Sequence, residues 1–160
     1  MPDTMAHKTH GDLLRRVEEI VNKSTAHART AWERNHRIDW VMSVIDEEGY
    51  PAASMITASR ADGFNWISFC TGTGWNKPNR IEKNPRTSIY LLDEDSFTGI
   101  SLIGCTDVIT DYEMKKQMWY DELGDSFAGP EDPNWCVLLF KPERYNIFID
   151  YHTIRGSFEV

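Results

Sequence analysis

The sequence predicts a mainly β fold with flanking helices, built on an antiparallel barrel or sandwich of six or seven strands. Two observations carry this. Short runs rich in β-branched and aromatic residues are divided by turn residues every eight to twelve positions, and they do not alternate with helices as in a βαβ protein. The chain also supports an ordinary core without disulfide staples: it has 160 residues, 41% hydrophobic and 12% aromatic.

The elements follow in order. Residues 1–10 are polar and read as a mobile tail, with no basic-then-apolar leader. Leu13, Leu14, Val17, Ile20 and Val21 recur at helical spacing after Asp12, a candidate N-cap. That helix ends near Ser24 or runs on toward Arg34. His27 and His36 read as solvent-facing residues of this region. Trp40 to Ile45 is a strand, Asp46 to Gly49 a turn, and Tyr50 to Thr57 the returning strand of a hairpin. Arg60-Ala61-Asp62-Gly63 is a second turn and Phe64 to Cys70 a third strand, giving a three-stranded meander.

A short helical turn around Ile81 ends at Asn84-Pro85, and Thr87 to Leu92 is the next strand. Phe97 to Thr110 is a long strand in which Gly104 marks a bulge or a close approach. Asp111 caps a helix that runs to about Leu123. Gly124 to Pro133 is a loop, and Trp135 to Phe140 and Tyr145 to Ile149 are two strands joined by Lys141 to Arg144. The domain division is 1–36 for the tail and helix, 37–150 for the β domain and 151–160 for a C-terminal tail, part of which reads as a possible edge segment. Trp40, Trp66, Trp119 and Trp135 fall in these elements as core candidates.

Charge narrows the function classes. Seventeen basic against 25 acidic residues give −8, which argues against nucleic-acid and anionic-membrane partners. No apolar run reaches the roughly 18 residues of a membrane span. The three cysteines, Cys70, Cys105 and Cys136, show no metal-ligand spacing and read as inert, buried thiols of a reduced, cytoplasmic protein. The stretch Asp93 to Asp132 sets eleven acids against two lysines and reads as a solvated face. No metal site and no Ser-His-Asp or HExxH arrangement is visible, and no catalytic acid or base stands out.

Thr71 to Arg86 differs from the rest. It carries Lys77, Arg80, Lys83 and Arg86 against Glu82 alone, net +3, which leaves −11 for the remainder. A basic island following two Thr-Gly pairs and opening a helical turn has the parts of a phosphate site: backbone N–H groups, Thr and Asn side chains and a lysine. It is neither a P-loop nor a dinucleotide fingerprint. The same residues also read as a polar loop before a solvated amphipathic helix. Trp75 beside the island reads either as a packed loop residue or as the flank of a planar ligand.

Several segments in this order resemble one family. Gly49-Tyr50-Pro51-Ala52-Ala53-Ser54-Met55 leads to Trp66 through Thr71, then to Asn76-Lys77, Ile81 and Asn84-Pro85-Arg86. Ile100-Ser101-Leu102-Ile103-Gly104, Asp111, Trp119 and Gly129-Pro130-Glu131-Asp132-Pro133 follow. From Asp39 to Asp150 the succession resembles the pyridoxamine 5'-phosphate oxidase-like family, in particular its general stress protein 26 branch.

The resemblance implies a split β-barrel and a homodimer with FMN in a groove at the subunit interface. It implies an FMN-dependent oxidoreductase acting on an undetermined small molecule. The alternative is a protein that binds flavin or another phosphorylated ligand without turnover. By resemblance Thr71 contacts the phosphate or ribityl chain and Lys77 is the phosphate lysine, with Asn76 where many members have Ser. Met55 and Ile56 line the ring system, Ser68, Phe69 and Cys70 lie near it, and Ser101 and Gly104 approach from the long strand. Three departures stand out, one being the unusual loop from Thr71 to Asn76 with its sequence TGTGWN. Ser54 occupies the position of a common strand-two arginine, which leaves Arg80 to supply that charge from the helix, and the usual Trp near the last strand is absent from Tyr145 to Phe148. A third reading keeps the barrel but gives it haem or a deazaflavin, with His36 and His152 as conceivable axial ligands.

Overall fold

The computed structural model describes residues 10–29 and 40–158. The first helix ends at Lys23, as the expected end near Ser24 has it, and does not continue through the described residues 24–29. Residues 1–9 of the expected tail and His36 lie outside the described residues, while His10 opens the first helix. The elements are α1 (His10–Lys23), β1 (Trp40–Ile45), β2 (Pro51–Ile56), β3 (Ala58–Asp62), β4 (Trp66–Gly72), α2 (Asn76–Lys83), β5 (Arg86–Asp93), β6 (Thr98–Ile109), α3 (Tyr112–Met118), a 3-10 turn (Asp121–Asp125), β7 (Trp135–Ile149) and β8 (His152–Ser157). No described helix is long and apolar enough to cross a membrane.

All strand pairs are antiparallel, in the order β2-β1-β5-β6-β7-β4-β3, with β8 on β7. The two ends of this path, β2 and β3, are separated in sequence by Thr57 alone. Consecutive Cα atoms are about 3.8 Å apart, so the ends of the path cannot lie more than about 7.6 Å from each other. The sheet must therefore curl until its edges meet. The barrel is split because β7 is longer than either partner on one flank: Trp135–Phe140 pairs with β4, and Arg144–Ile149 pairs with β8.

Strand period two fills the interior. Trp40, Met42 and Val44 of β1 point inward with Ile67 and Phe69, Ile89 and Leu91, Ile100 and Leu102, and Leu138 and Phe140. Helix α1 adds Leu13, Val17, Ile20 and Val21 to the same core. It is tied to the sheet by polar contacts: Gly63 N donates to Asn22 Oδ1 at 2.7 Å, and Trp40 Nε1 donates to the Ser24 carbonyl at 3.1 Å. A smaller apolar cluster on the other side of β4 joins Cys70 to Met118, Leu123, Phe127 and Trp135.

The structure changes several expectations. The meander is not formed: β2 lies at the opposite end of the path from β3 and β4, because the hairpins β1–β2 and β3–β4 each pair only within themselves at the closing edges. Arg60 to Asp62 are strand residues of β3, leaving the turn to Gly63 at φ +52. Helix α1 begins at His10, so Asp12 sits in its first turn rather than at its cap. Asp111 does cap α3, accepting from Met114 N at 3.1 Å, but the helix ends at Met118. There the chain turns extended at Trp119, whose ring packs 5.5 Å from that of Trp135.

The expected break at Lys141 to Arg144 is bridged, and β7 runs through Pro142. That proline faces Gly104 where the β6–β7 register shifts, and a bulge is where a strand tolerates a residue without an N–H. Gly104 is thus the predicted close-approach point. A Cβ there would collide with the Lys141 carbonyl oxygen, which belongs to backbone and cannot swing away.

The three cysteines are free. Burial pushes the Cys70 thiol up to about 12 and the Cys136 thiol to about 11. Cys105 is partly exposed, with a thiol raised by burial and by Glu143.

Two outcomes follow from this packing. Gly104→Ala should destabilise the fold by about 2–3 kcal/mol in urea unfolding, since β6 or β7 backbone must move to admit the methyl group. In the native protein at about pH 8 a thiol reagent should label Cys105 first and reach Cys70 and Cys136 only on unfolding. Equal labelling rates for the three would contradict the burial described.

Candidate functional site

Closure of the sheet brings β2 from one end of the path and β4 from the other to the start of α2. Between them lies a cleft of about 280 Å³, lined by Ala52, Ala53 and Ser54 of β2, Thr71 of β4, and Trp75, Asn76, Lys77 and Arg80. The small β2 side chains make the cleft possible. Only Ile56 of that strand is buried, so the rest of β2 remains open to solvent or half-covered.

The start of α2 is unusual. Its N-cap is Trp75, which makes no side-chain cap hydrogen bond, and no acidic residue stands in the first turn. Most helices put Ser, Thr, Asp or Asn there to satisfy the first N–H groups. Here the N–H groups of Asn76 and Lys77 keep their donor capacity at the mouth of the cleft, at the positive end of the helix dipole. Pro78 is tolerated because a first-turn residue has no intrahelical bond to lose.

Trp75 is held in place by a glycine. A Cβ on Gly72 would come within 2.6 Å of the indole ring, so the ring lies against bare backbone. Trp75 N donates to the Gly72 carbonyl at 3.1 Å, and the ring stands 5.9 Å from that of Phe127. It remains 56% exposed.

Two cations serve the cleft. Burial, with Arg80 nearby, pulls the Lys77 ammonium below the ordinary lysine value. Its Nζ donates to the Met55 carbonyl at a long 3.4 Å. The guanidinium of Arg80 pairs with Glu47 of the β1–β2 turn through Nε and Nη2, at 3.0 and 3.1 Å, and holds that carboxyl below its usual value.

The loop before α2 is braced from behind. Thr73 N donates to the Asn134 carbonyl at 2.9 Å, and Thr73 Oγ1 to the Pro133 carbonyl at 3.2 Å. The bracing loop is itself organised by Asp132, which accepts from Ala128 N at 2.8 Å and Asn134 N at 2.9 Å. The buried Lys115 completes it, donating to the Asp132 carbonyl at 2.6 Å with its Nζ 4.7 Å from the Trp135 ring centroid.

Of the residues singled out from the sequence, Thr71, Trp75, Asn76, Lys77 and Arg80 meet at the cleft. Met55 is beside it, with an exposed side chain and its carbonyl held by Lys77. The others lie elsewhere. Ile56 and Phe69 belong to the main core, Phe69 edge-on to Trp40. Ser68 points to the far side of β4, where its Oγ shares a 2.6 Å hydrogen bond with Ser59 Oγ and lies 3.1 Å from Met118 Sδ. Cys70 faces the same way. Ser101 lies on β6 opposite Tyr90 and Asn146, and Gly104 is the backbone contact described above. His152 is exposed at the start of β8, its Nδ1 3.2 Å from the Asp150 carbonyl. Among the described residues no group of three or more His, Cys, Asp or Glu stands together as a metal site.

Sequence reasoning does not reach Glu47 or Lys115. Glu47 is one of three consecutive acids in a turn, and Lys115 one of two lysines in an acidic stretch, so neither is marked locally. The Asp-Pro and Gly-Pro breakers around the bracing loop were the available signal for the latter.

Comparison with known proteins agrees with the fold. A family model described as pyridoxamine 5'-phosphate oxidase matches residues 26–148, which is most of the chain. No curated protein matches by sequence. Among solved structures, a general stress protein 26-related protein of Clostridium acetobutylicum is 23% identical over 78% of this chain and 88% of its own, with a TM-score of 0.68. The general stress protein 26 of Bacillus anthracis is 19% identical over 90% of this chain and 98% of its own, also at 0.68. A pyridoxamine 5'-phosphate oxidase-related, FMN-binding protein of Nostoc punctiforme is 13% identical over 98% and 100%, at 0.59. These likenesses are in fold, and the matching family model covers both the barrel and the cleft. The chain belongs to the pyridoxamine 5'-phosphate oxidase family.

Proposed function

We propose that the cleft at the start of α2 binds the phosphate of FMN and that the protein is a flavin-dependent oxidoreductase, working in the cytoplasm as a homodimer on a small-molecule substrate. The observation that carries this is the uncapped start of α2, which lines with Lys77 a cleft that, among the described residues, no carboxylate, imidazole or thiol lines. That donor set suits a phosphate monoester: backbone N–H groups, the Thr71 hydroxyl, the Asn76 amide and an ammonium. The flavin ring requires apolar, planar walls, and the exposed Met55 and Trp75 side chains stand at the cleft to provide them. The family match and the FMN-binding Nostoc relative support the same reading.

The residues of this chain would bind and orient. Lys77 and the first turn of α2 would fix the phosphate end. The bracing loop would keep Thr73 and Trp75 from yielding when a ligand enters. Bound FMN would supply the redox chemistry, accepting a hydride or electrons and passing them on. The homodimer reading rests on exposed apolar residues at one sheet surface: Met55 of β2, Tyr90 and Leu92 of β5, and Phe97 before β6. A second copy covering them would also enclose the open β2.

A second reading, a flavin carrier without turnover, is favoured by the lack of a carboxylate, imidazole or thiol among the described residues that line the cleft. It is separated from the first by reduction of the bound flavin with NADH or NADPH and reoxidation at a catalytic rate.

Lys77→Ala should weaken FMN binding by about 1.5–3 kcal/mol and leave riboflavin, which has no phosphate, unaffected. Equal FMN affinity in the two proteins would remove Lys77 from the site. The pH dependence has a definite sign. Lys77 is an anion donor only when protonated, and its value lies below that of free lysine. FMN affinity should therefore fall as alkaline pH rises through that lowered value, earlier than an unperturbed lysine would allow, and the Lys77→Ala protein should lose this limb.

A further inference from the structure

Arg80 stands between two cavities, and Glu47 is its ion-pair partner. The turn that carries it is rigidly built: Asp46 Oδ1 accepts from Glu48 N at 3.0 Å and from Tyr50 N at 2.9 Å, and Gly49 takes φ +86. The turn presents the Glu47 carboxylate to α2, where both its oxygens are taken by Arg80 at 3.0 and 3.1 Å. Arg80 lines the 280 Å³ cleft on one side. On the other it lines a smaller cavity of about 70 Å³, whose walls include Asp46, Glu47, Asn79 and Lys83.

We propose that Glu47 determines the ligand specificity of the site, its carboxylate filling the Arg80 fork as an internal anion, so that the site takes a single phosphate monoester and turns away ligands with a second anionic group. The inference rests on the phosphate-binding reading given above.

The argument is one of charge and geometry. A two-bond pairing of guanidinium with carboxylate is the strong arrangement of this pair, and it uses the donors that a second phosphate would need. With Arg80 neutralised, Lys77 is the cleft-lining cation outside any ion pair among the described residues. One such cation, with helix N–H groups, suits a monoester carrying about −1.5 to −2. A second phosphate that reached past Arg80 into the smaller cavity would meet Asp46 and Glu47, where like charges repel it. By holding the Arg80 guanidinium, Glu47 also withholds that cation from a monoester in the main cleft.

The test titrates FMN, FAD (a diphosphate) and riboflavin into the wild type, Glu47→Gln, Arg80→Met and the double variant, with Lys77→Ala as reference. Gln keeps a hydrogen-bonding oxygen for Arg80 and removes only the charge. Glu47→Gln should tighten FMN about three- to tenfold, the scale of one unit charge at a partly screened site. It should tighten FAD more than FMN and leave riboflavin unchanged. In the Arg80→Met background the same substitution should lose most of its effect. An unchanged or weakened FMN affinity in Glu47→Gln, with an unchanged FMN-to-FAD ratio, would overturn the inference. If Lys77→Ala meanwhile weakens FMN, the phosphate reading stands and the role of Glu47 alone fails. If the wild type binds riboflavin as tightly as FMN, both fall together.

Discussion

A single residue, Thr57, separates the two ends of the seven-strand path, and the candidate site exists because of it. Along the sheet, β2 and β4 are remote: four strands stand between them. Only closure of the path brings Ala52 to Ser54 within reach of Thr71 and the start of α2. The core that enforces closure is the same inward set of aromatic and branched side chains that would fill any barrel, with α1 packed on it. The cleft is therefore a consequence of global packing rather than of a local motif. A substitution that loosened the closing edge would act on the cleft without touching it.

Closure leaves a loop of small residues, Thr71 to Gly74, to be held in shape, and the chain does this with buried polar chemistry. Lys115 is nearly inaccessible, at 4% exposure, and its charge is met by a carbonyl, by the Trp135 ring face and by nearby Asp132. A buried cation without such partners would be costly. Satisfied in this way, it fastens the loop that carries Pro133 and Asn134, and those carbonyls in turn hold Thr73. The support runs from α3 through Asp132 to the residues flanking Trp75.

Much of this was legible in the sequence, and the limits have physical causes. Strands β1, β5 and β6 are marked by alternation and turn residues, and their positions are as expected. The basic Thr71 to Arg86 island located the cleft, because a local reversal of charge in an acidic chain requires no knowledge of the fold. The meander was not legible. Hairpins suggest pairing between neighbours, whereas the one-residue link at Thr57 sends the chain to the opposite edge, and nothing in Ile56-Thr57-Ala58 distinguishes a crossing from a continuing strand. Pro142 was read as a break because its tolerance depends on a bulge opposite Gly104, a pairing made across about forty residues. Within β4 the alternation of Ile67, Phe69 and Thr71 against Ser68 and Cys70 decides which side chains face which side. Sequence alone does not say which side holds the cleft.

The two lysines, Lys77 and Lys115, show how one residue type is given two different tasks. Each donates to a backbone carbonyl, but at 2.6 Å for Lys115 and 3.4 Å for Lys77. The first is a short, charge-assisted bond, and the second lies near the limit of a useful one. Lys115 is further satisfied by the Trp135 ring face, so its charge is spent on structure. Lys77 has partial burial and a neighbouring Arg80 that both disfavour its charge. An anion entering the cleft would relieve that penalty and offer a better acceptor than the Met55 carbonyl. The difference between the two is therefore one of unsatisfied potential, and on the proposed reading it is what fits Lys77 rather than Lys115 for a ligand.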